Sequence, residues 1–204
     1  MLELRGGFPA DGVLSTDTGA VIQLRRAQLS VTGIELIACS AAGPSVQLRA
    51  LLGPGVALAH THVSPTHLGI PHVVDLLSAT ATMLGTLAPP AGSYCGARIS
   101  LGPADADAEG LPDPSFIGTM FALGADVSAP MTRTIAGTTV TSLTTDTVFA
   151  PALEVVEGDE VHVEFVLGDG TALDGLALGT QTDDELASAL VLGAQTAVDA
   201  IITR

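Results

Sequence analysis

Tryptophan, lysine and asparagine are missing altogether from these 204 residues, and the aromatics amount to one Tyr and five Phe. A core made from this chain therefore has to be aliphatic. The basic residues number seven, all of them Arg, against 22 acidic ones, for a formal charge of −15. A surface of that sign repels phosphate backbones and excludes nucleic-acid binding. It also concentrates cations around the protein, although solubility alone is reason enough for an acidic surface. Lys and Asn share AT-rich codons, so their joint absence points to a GC-rich bacterial genome.

Long apolar runs are lacking too. The 23 Gly and 12 Pro interrupt every hydrophobic stretch, and none reaches the length of a membrane-spanning helix. There is no G-x-S-x-G elbow, no H-E-x-x-H helix and no phosphate loop, so the chain reads as non-catalytic. Only two cysteines occur, Cys39 and Cys95, with no C-x-x-C and no paired Cys-His spacing. Both stand at the ends of strand-like runs. In an exported chain they are expected to form one disulfide, closing a loop of about 56 residues. In a reducing compartment they would be two buried thiols. Met1 leads directly into the strand-like L-E-L-R with no leader, so an exported protein is expected here as its mature domain.

The length suits one domain, residues 1–204, able to bury a substantial core. Strand-like segments, rich in β-branched and aliphatic residues, run over 2–5, 20–39, 46–52, 73–77, 84–87, 93–101, 117–123 and 138–143. Gly33 inside the longest marks a bulge or bend. Residues 152–167, A-L-E-V-V-E-G-D-E-V-H-V-E-F-V-L, read as a hairpin around E-G-D-E. Alternation puts Val161, Val163 and Phe165 on one face and His162 with Glu164 on the other. One helix is expected from Thr182, where T-D-D-E is a capping box and its acids suit the positive end of the helix dipole. Leu186, Leu190 and Ala194 form its apolar stripe, Gly193 its exit, and residues 196–203 a last strand. Many short strands, turn residues between them and one helix predict a mainly β protein. Its fold class is a β-sandwich of mostly antiparallel strands with one C-terminal helix.

Four of the five histidines fall within H-T-H-V-S-P-T-H-L-G-I-P-H, residues 60–72. On extended backbone His60 and His62 share a face, and Pro65, Gly69 and Pro71 can turn the chain so that His67 or His72 returns towards them. Neutral imidazole suits copper, zinc and nickel, and intrinsic affinity favours copper. His60, His62 and His67 are the first-choice ligands, with His72 or His162 completing the set. A polar, histidine-rich loop with no metal is the competing reading. A second candidate, for calcium, is D-A-D-A-E-G-L-P-D, with Asp105, Asp107, Glu109 and Asp113 at positions one, three, five and nine and Gly at six. The bidentate Glu expected at twelve is replaced by Phe116, so a solvated acidic turn competes with it.

Three blocks together resemble exported bacterial copper-associated proteins of the MbnP type. They are G-I-E-L-I-A-C at 33–39, H-L-G-I-P-H-V-V-D-L-L at 67–77 leading into L-G-T-L-A-P-P-A-G-S-Y-C-G-A-R-I-S-L at 84–101, and A-L-D-G-L-A-L at 172–178. The resemblance implies a periplasmic or surface-attached β-sandwich, often carried as a lipoprotein, whose copper site uses histidines with a tryptophan-derived ligand. That last ligand has no counterpart in a chain without Trp. The expectation is an exported, non-catalytic metal-binding protein, with copper first and zinc as the alternative. Its rival is a structural or adhesive cell-surface sandwich with no metal at the histidines.

Overall fold

The computed structural model describes residues 1–9, 11–39, 64–129, 132–168, 171–175 and 178–204. Two sheets face each other. The smaller contains β1 (Leu2–Gly6), β6 (Thr82–Gly85), β11 (His162–Leu167) and β12 (Val198–Thr203), in the order β12-β11-β1-β6. The larger follows β10-β7-β3-β8-β9, that is β10 (Leu143–Val155), β7 (Gly92–Leu101), β3 (Val21–Ala38), β8 (Phe121–Ala129) and β9 (Arg133–Thr139). Three short strands also pair with β3: β2 (Val13–Ser15), β4 (His67–Leu68) and β5 (His72–Asp75). Pairing is antiparallel throughout the named strands except between β1 and β11. The expected mainly β sandwich with a C-terminal helix is the observed fold.

β3 is the spine. β8 pairs with its residues 21–29 and β7 with residues 31–38, while β2, β5 and β4 line its other edge in turn. The register with β7 shifts between Val31 and Gly33, so Gly33 does mark a bulge. Because of it both Val31 and Ile34 face the core, three residues apart rather than two or four. Alternation elsewhere is clean. Leu2 and Leu4 of β1 and Val163 and Phe165 of β11 point inward, leaving Glu3, Arg5, His162 and Glu164 on the outer face. The core between the sheets is largely aliphatic, as the composition requires, with Phe121, Phe149 and Phe165 buried in it and Phe8 packed against it. A second, smaller cluster of Val73, Ala104, Ala108, Phe116 and Ala122 lies on the opposite side of the larger sheet.

The helix α1 (Asp183–Thr196) begins at the expected cap. The Thr182 hydroxyl accepts from the Glu185 amide at 3.3 Å, and the Glu185 carboxylate accepts from the Thr182 amide at 2.7 Å. Leu186, Ala187, Leu190, Val191 and Ala194 bury the expected stripe in the main core. Its N-terminus covers the open edge of β9, where Asp183 and Asp184 accept from the amides of Ala136 and Thr138 at 2.9 and 2.8 Å. Those two N–H groups would otherwise be an unpaired strand edge. The approach is close enough to require glycine: a Cβ on Gly137 would lie 2.0 Å from the Asp183 carbonyl oxygen.

Several expectations need correction. Residues 152–167 are not a hairpin, because β10 pairs with β7 and β11 with β1 and β12. The turn at E-G-D-E carries the chain from one sheet to the other, and alternation defines faces without naming neighbours. The strand expected over 138–143 takes in the end of β9, the connection at residues 140–142 and the start of β10, and the one expected from 117 begins at Phe121, after a 3₁₀ turn at Pro114–Phe116. Gly193 does not end the helix, which runs on to Thr196. At Gly193 a Cβ would be 2.6 Å from the Ala172 carbonyl oxygen, so this glycine serves close packing. The strand expected over 46–52 lies outside the described residues.

Cys39 and Cys95 form the expected disulfide, with Cα atoms 4.8 Å apart and a sequence separation of 56. It ties the end of β3 to β7, its hydrogen-bonded neighbour.

Candidate functional site

His60 and His62 lie outside the described residues. The other three histidines do not come together. A tight turn closed by the Ser64 and His67 backbones, N···O 2.9 and 3.1 Å, places His67 on β4 opposite Glu35. Residues opposite one another share a face, and Glu35 stands beside Arg98 in the next strand, on the outer face of the larger sheet. The His67 ring reaches over Gly33, where a Cβ would lie 3.1 Å from its Nε2. His72 instead pairs with Val31, a core residue, and therefore faces inward. His162 sits in the other sheet, on its outer face, with Nε2 3.0 Å from Glu3 Oε2 and Nδ1 3.5 Å from the Thr203 hydroxyl.

His72 is the buried one, 4 % exposed. Its Nδ1 is 3.7 Å from Glu109 Oε2, and its Nε2 is buried without a hydrogen-bond partner. Glu109 is held there by its own backbone. Its amide donates to the Pro71 carbonyl at 2.9 Å and its carbonyl accepts from the Val73 amide at 2.7 Å, so it brackets His72. Gly110 follows with φ 72°, and a Cβ there would be 2.7 Å from the Val73 carbonyl oxygen. The glycine that suggested a calcium loop is thus needed for the loop to lie against β5.

Three of the four carboxylates of that loop have separate tasks. Asp105 Oδ1 accepts from the Asp107 amide at 3.1 Å. Asp113 caps the 3₁₀ turn by accepting from the Ser115 amide at 2.8 Å, and the Ser115 hydroxyl and amide hold its carboxyl below the usual range. Glu109 turns to His72. What seats the loop on the sheet is apolar: Ala104, Ala108 and Phe116 pack on Val73 and Ala122, with Arg26 over the Phe116 ring at 6.0 Å. Among the described residues no three His, Cys, Asp or Glu side chains form a group that could hold a metal ion.

A cleft of about 540 Å³ opens between the sheets at the end where the disulfide lies. Its walls include Leu36, Leu153 and Val155 of the larger sheet and Leu2 and Val163 of the smaller one. The turn after β10 contributes Asp159 and Glu160 to its mouth, and His162 and Arg204 stand nearby. Sequence reasoning missed this cleft, and missed Glu3 as the partner of His162. The alternating L-E-L-R does put Glu3 on an outward face, but its neighbour lies 159 positions away in a parallel strand.

Among the described residues no helix is long and apolar enough to cross a membrane. No protein-family model matches the chain, and no curated protein or solved structure matches it either.

Proposed function

We propose that the protein is an exported, non-catalytic metal-binding module, with copper as its first metal and zinc as the alternative, loaded through the stretch from His60 to His72. The observation that carries this reading is His72. A buried imidazole with an unpartnered Nε2, and with a carboxylate 3.7 Å from its Nδ1, leaves one ring nitrogen open to a metal and has an acid near the other. Burying such a nitrogen with nothing bound to it is costly. His60 and His62 are the companions of His72 in this reading, since His67 faces the opposite side of the sheet and His162 lies on the other sheet. Copper would contribute one strongly held, multidentate crosslink between the histidine stretch and β5. The disulfide supports export to an oxidising compartment, periplasmic or on the cell surface.

The test is copper uptake, by calorimetry and elemental analysis of untagged protein, in the wild type and in a His60→Ala, His62→Ala double variant. Stoichiometric binding by the wild type, lost in the double variant and weakened at pH 5 where protons compete for imidazole, is the expected result. Equal uptake by both proteins would overturn it. A second reading, a structural or adhesive surface sandwich without metal, is favoured by the dispersal of His67, His72 and His162 over three surfaces. It predicts no stoichiometric uptake by either protein.

A further inference from the structure

We infer that the cleft between the sheets is a binding site for a small amphipathic cation, an apolar body carrying an ammonium-like head. The cleft's volume of about 540 Å³ falls within the range of small-molecule sites, and its walls are aliphatic side chains from both sheets. Its polar groups are unequally engaged. The Met1 nitrogen donates to the Val161 carbonyl at 2.7 Å, the Arg204 guanidinium to the Glu154 carbonyl at 2.7 Å, and His162 Nε2 lies 3.0 Å from Glu3 Oε2. Every basic group at the mouth is thus turned to a protein oxygen. Asp159 and Glu160 are not: neither carboxylate has a hydrogen-bond or ion-pair partner among the described residues. Asp159 and Glu160 are therefore the charged groups at the mouth still open to a new partner, on a protein whose formal charge of −15 already draws cations. An anionic head finds the Met1 and Arg204 donors already engaged with carbonyls and two open carboxylates facing it, and a neutral ligand gains the apolar walls alone. This site shares no residue with the histidine stretch, so it stands or falls independently of metal binding.

The experiment titrates the full chain with three probes of equal chain length: hexyltrimethylammonium, hexanol and hexanoate. Binding is read by calorimetry and by backbone amide shifts in nuclear magnetic resonance. The cation is expected to bind saturably, with shifts centred on Leu36, Leu153 and Val163, and about tenfold more tightly than hexanoate. An Asp159→Asn, Glu160→Gln variant should lose that preference and keep its affinity for hexanol. A Val161→Trp variant, confirmed as folded by its melting curve, should lose all three by filling the mouth. Equal affinities for the three probes in the wild type, shifts centred elsewhere, or no saturable shift would each overturn the inference.

Discussion

The Asp183 carboxylate accepts a hydrogen bond from the backbone amide of Ala136 at 2.9 Å, so the first residue of the helix caps the edge strand of the larger sheet. The Arg133 side chain pairs with the other oxygen of the same carboxylate, and donates to the carbonyls of Leu178 and Gln181. The Ala136 amide first, and Arg133 second, hold the Asp183 carboxyl below its ordinary range. A lowered folded-state value means stability that is fully present above the unfolded range, near pH 4, and is lost as pH falls towards the folded value. An Asp183→Ala variant should therefore be less stable at neutral pH by about 1–2 kcal/mol, after allowing for partial exposure. It should also lose less on acidification than the wild type. Urea denaturation at pH 7 and pH 3 measures both differences, and parallel losses in the two proteins would refute the assignment.

The same helix and strand supply a second prediction. With the Asp183 carbonyl oxygen 2.0 Å from the position of a Cβ on Gly137, a Gly137→Ala variant must push the helix away from β9. The expected cost is about 1–3 kcal/mol, the usual penalty of overpacking. Amide exchange at Ala136 and Thr138 should accelerate along with it. Unchanged protection at those two amides would show that the contact yields freely.

Reduction of the Cys39–Cys95 disulfide releases a constraint over 56 residues. On the chain-entropy argument this lowers stability by about 4 kcal/mol. Denaturant midpoints with and without reductant, compared with a Cys39→Ser, Cys95→Ser variant, test it. The variant should match the reduced protein and be indifferent to reductant.

The acidic loop offers a choice between an ion and an apolar anchor. Phe116 is 1 % exposed beneath it. Phe116→Ala is expected to cost about 3 kcal/mol, and calcium chelation should leave the melting temperature of the wild type unchanged. A melting temperature that falls with chelator and recovers with calcium would restore the ion-binding reading of Asp105, Asp107, Glu109 and Asp113.

What could be read from the sequence was local. The Thr182–Glu185 cap, the bulge at Gly33 and the inward faces of Val163 and Phe165 follow from a few neighbouring residues, whose geometry depends on backbone periodicity alone. Sheet neighbours do not. The run after E-G-D-E alternates as a hairpin partner would, yet β11 finds β1, and nothing within sixteen residues reveals a strand at residue 2. The histidine stretch shows the same limit. Density along the chain is visible, but His67 and His72 straddle the Gly69–Pro71 break and pair with Glu35 and Val31, on opposite faces. The cleft was illegible because its walls come from residues as far apart as Leu2, Leu36, Leu153 and Val163.

The register of the smaller sheet has a consequence for the order of events in folding. Leu2 pairs with Val163, and Val163 in turn with Ile202, so this sheet cannot close until residue 202 is available. Most pairings around β3, by contrast, are complete once residue 155 has emerged. Folding should thus proceed from the larger sheet to the smaller. Until the last step, the inward face of β3 and its neighbours stays uncovered. Such a chain folds slowly and is exposed to aggregation meanwhile.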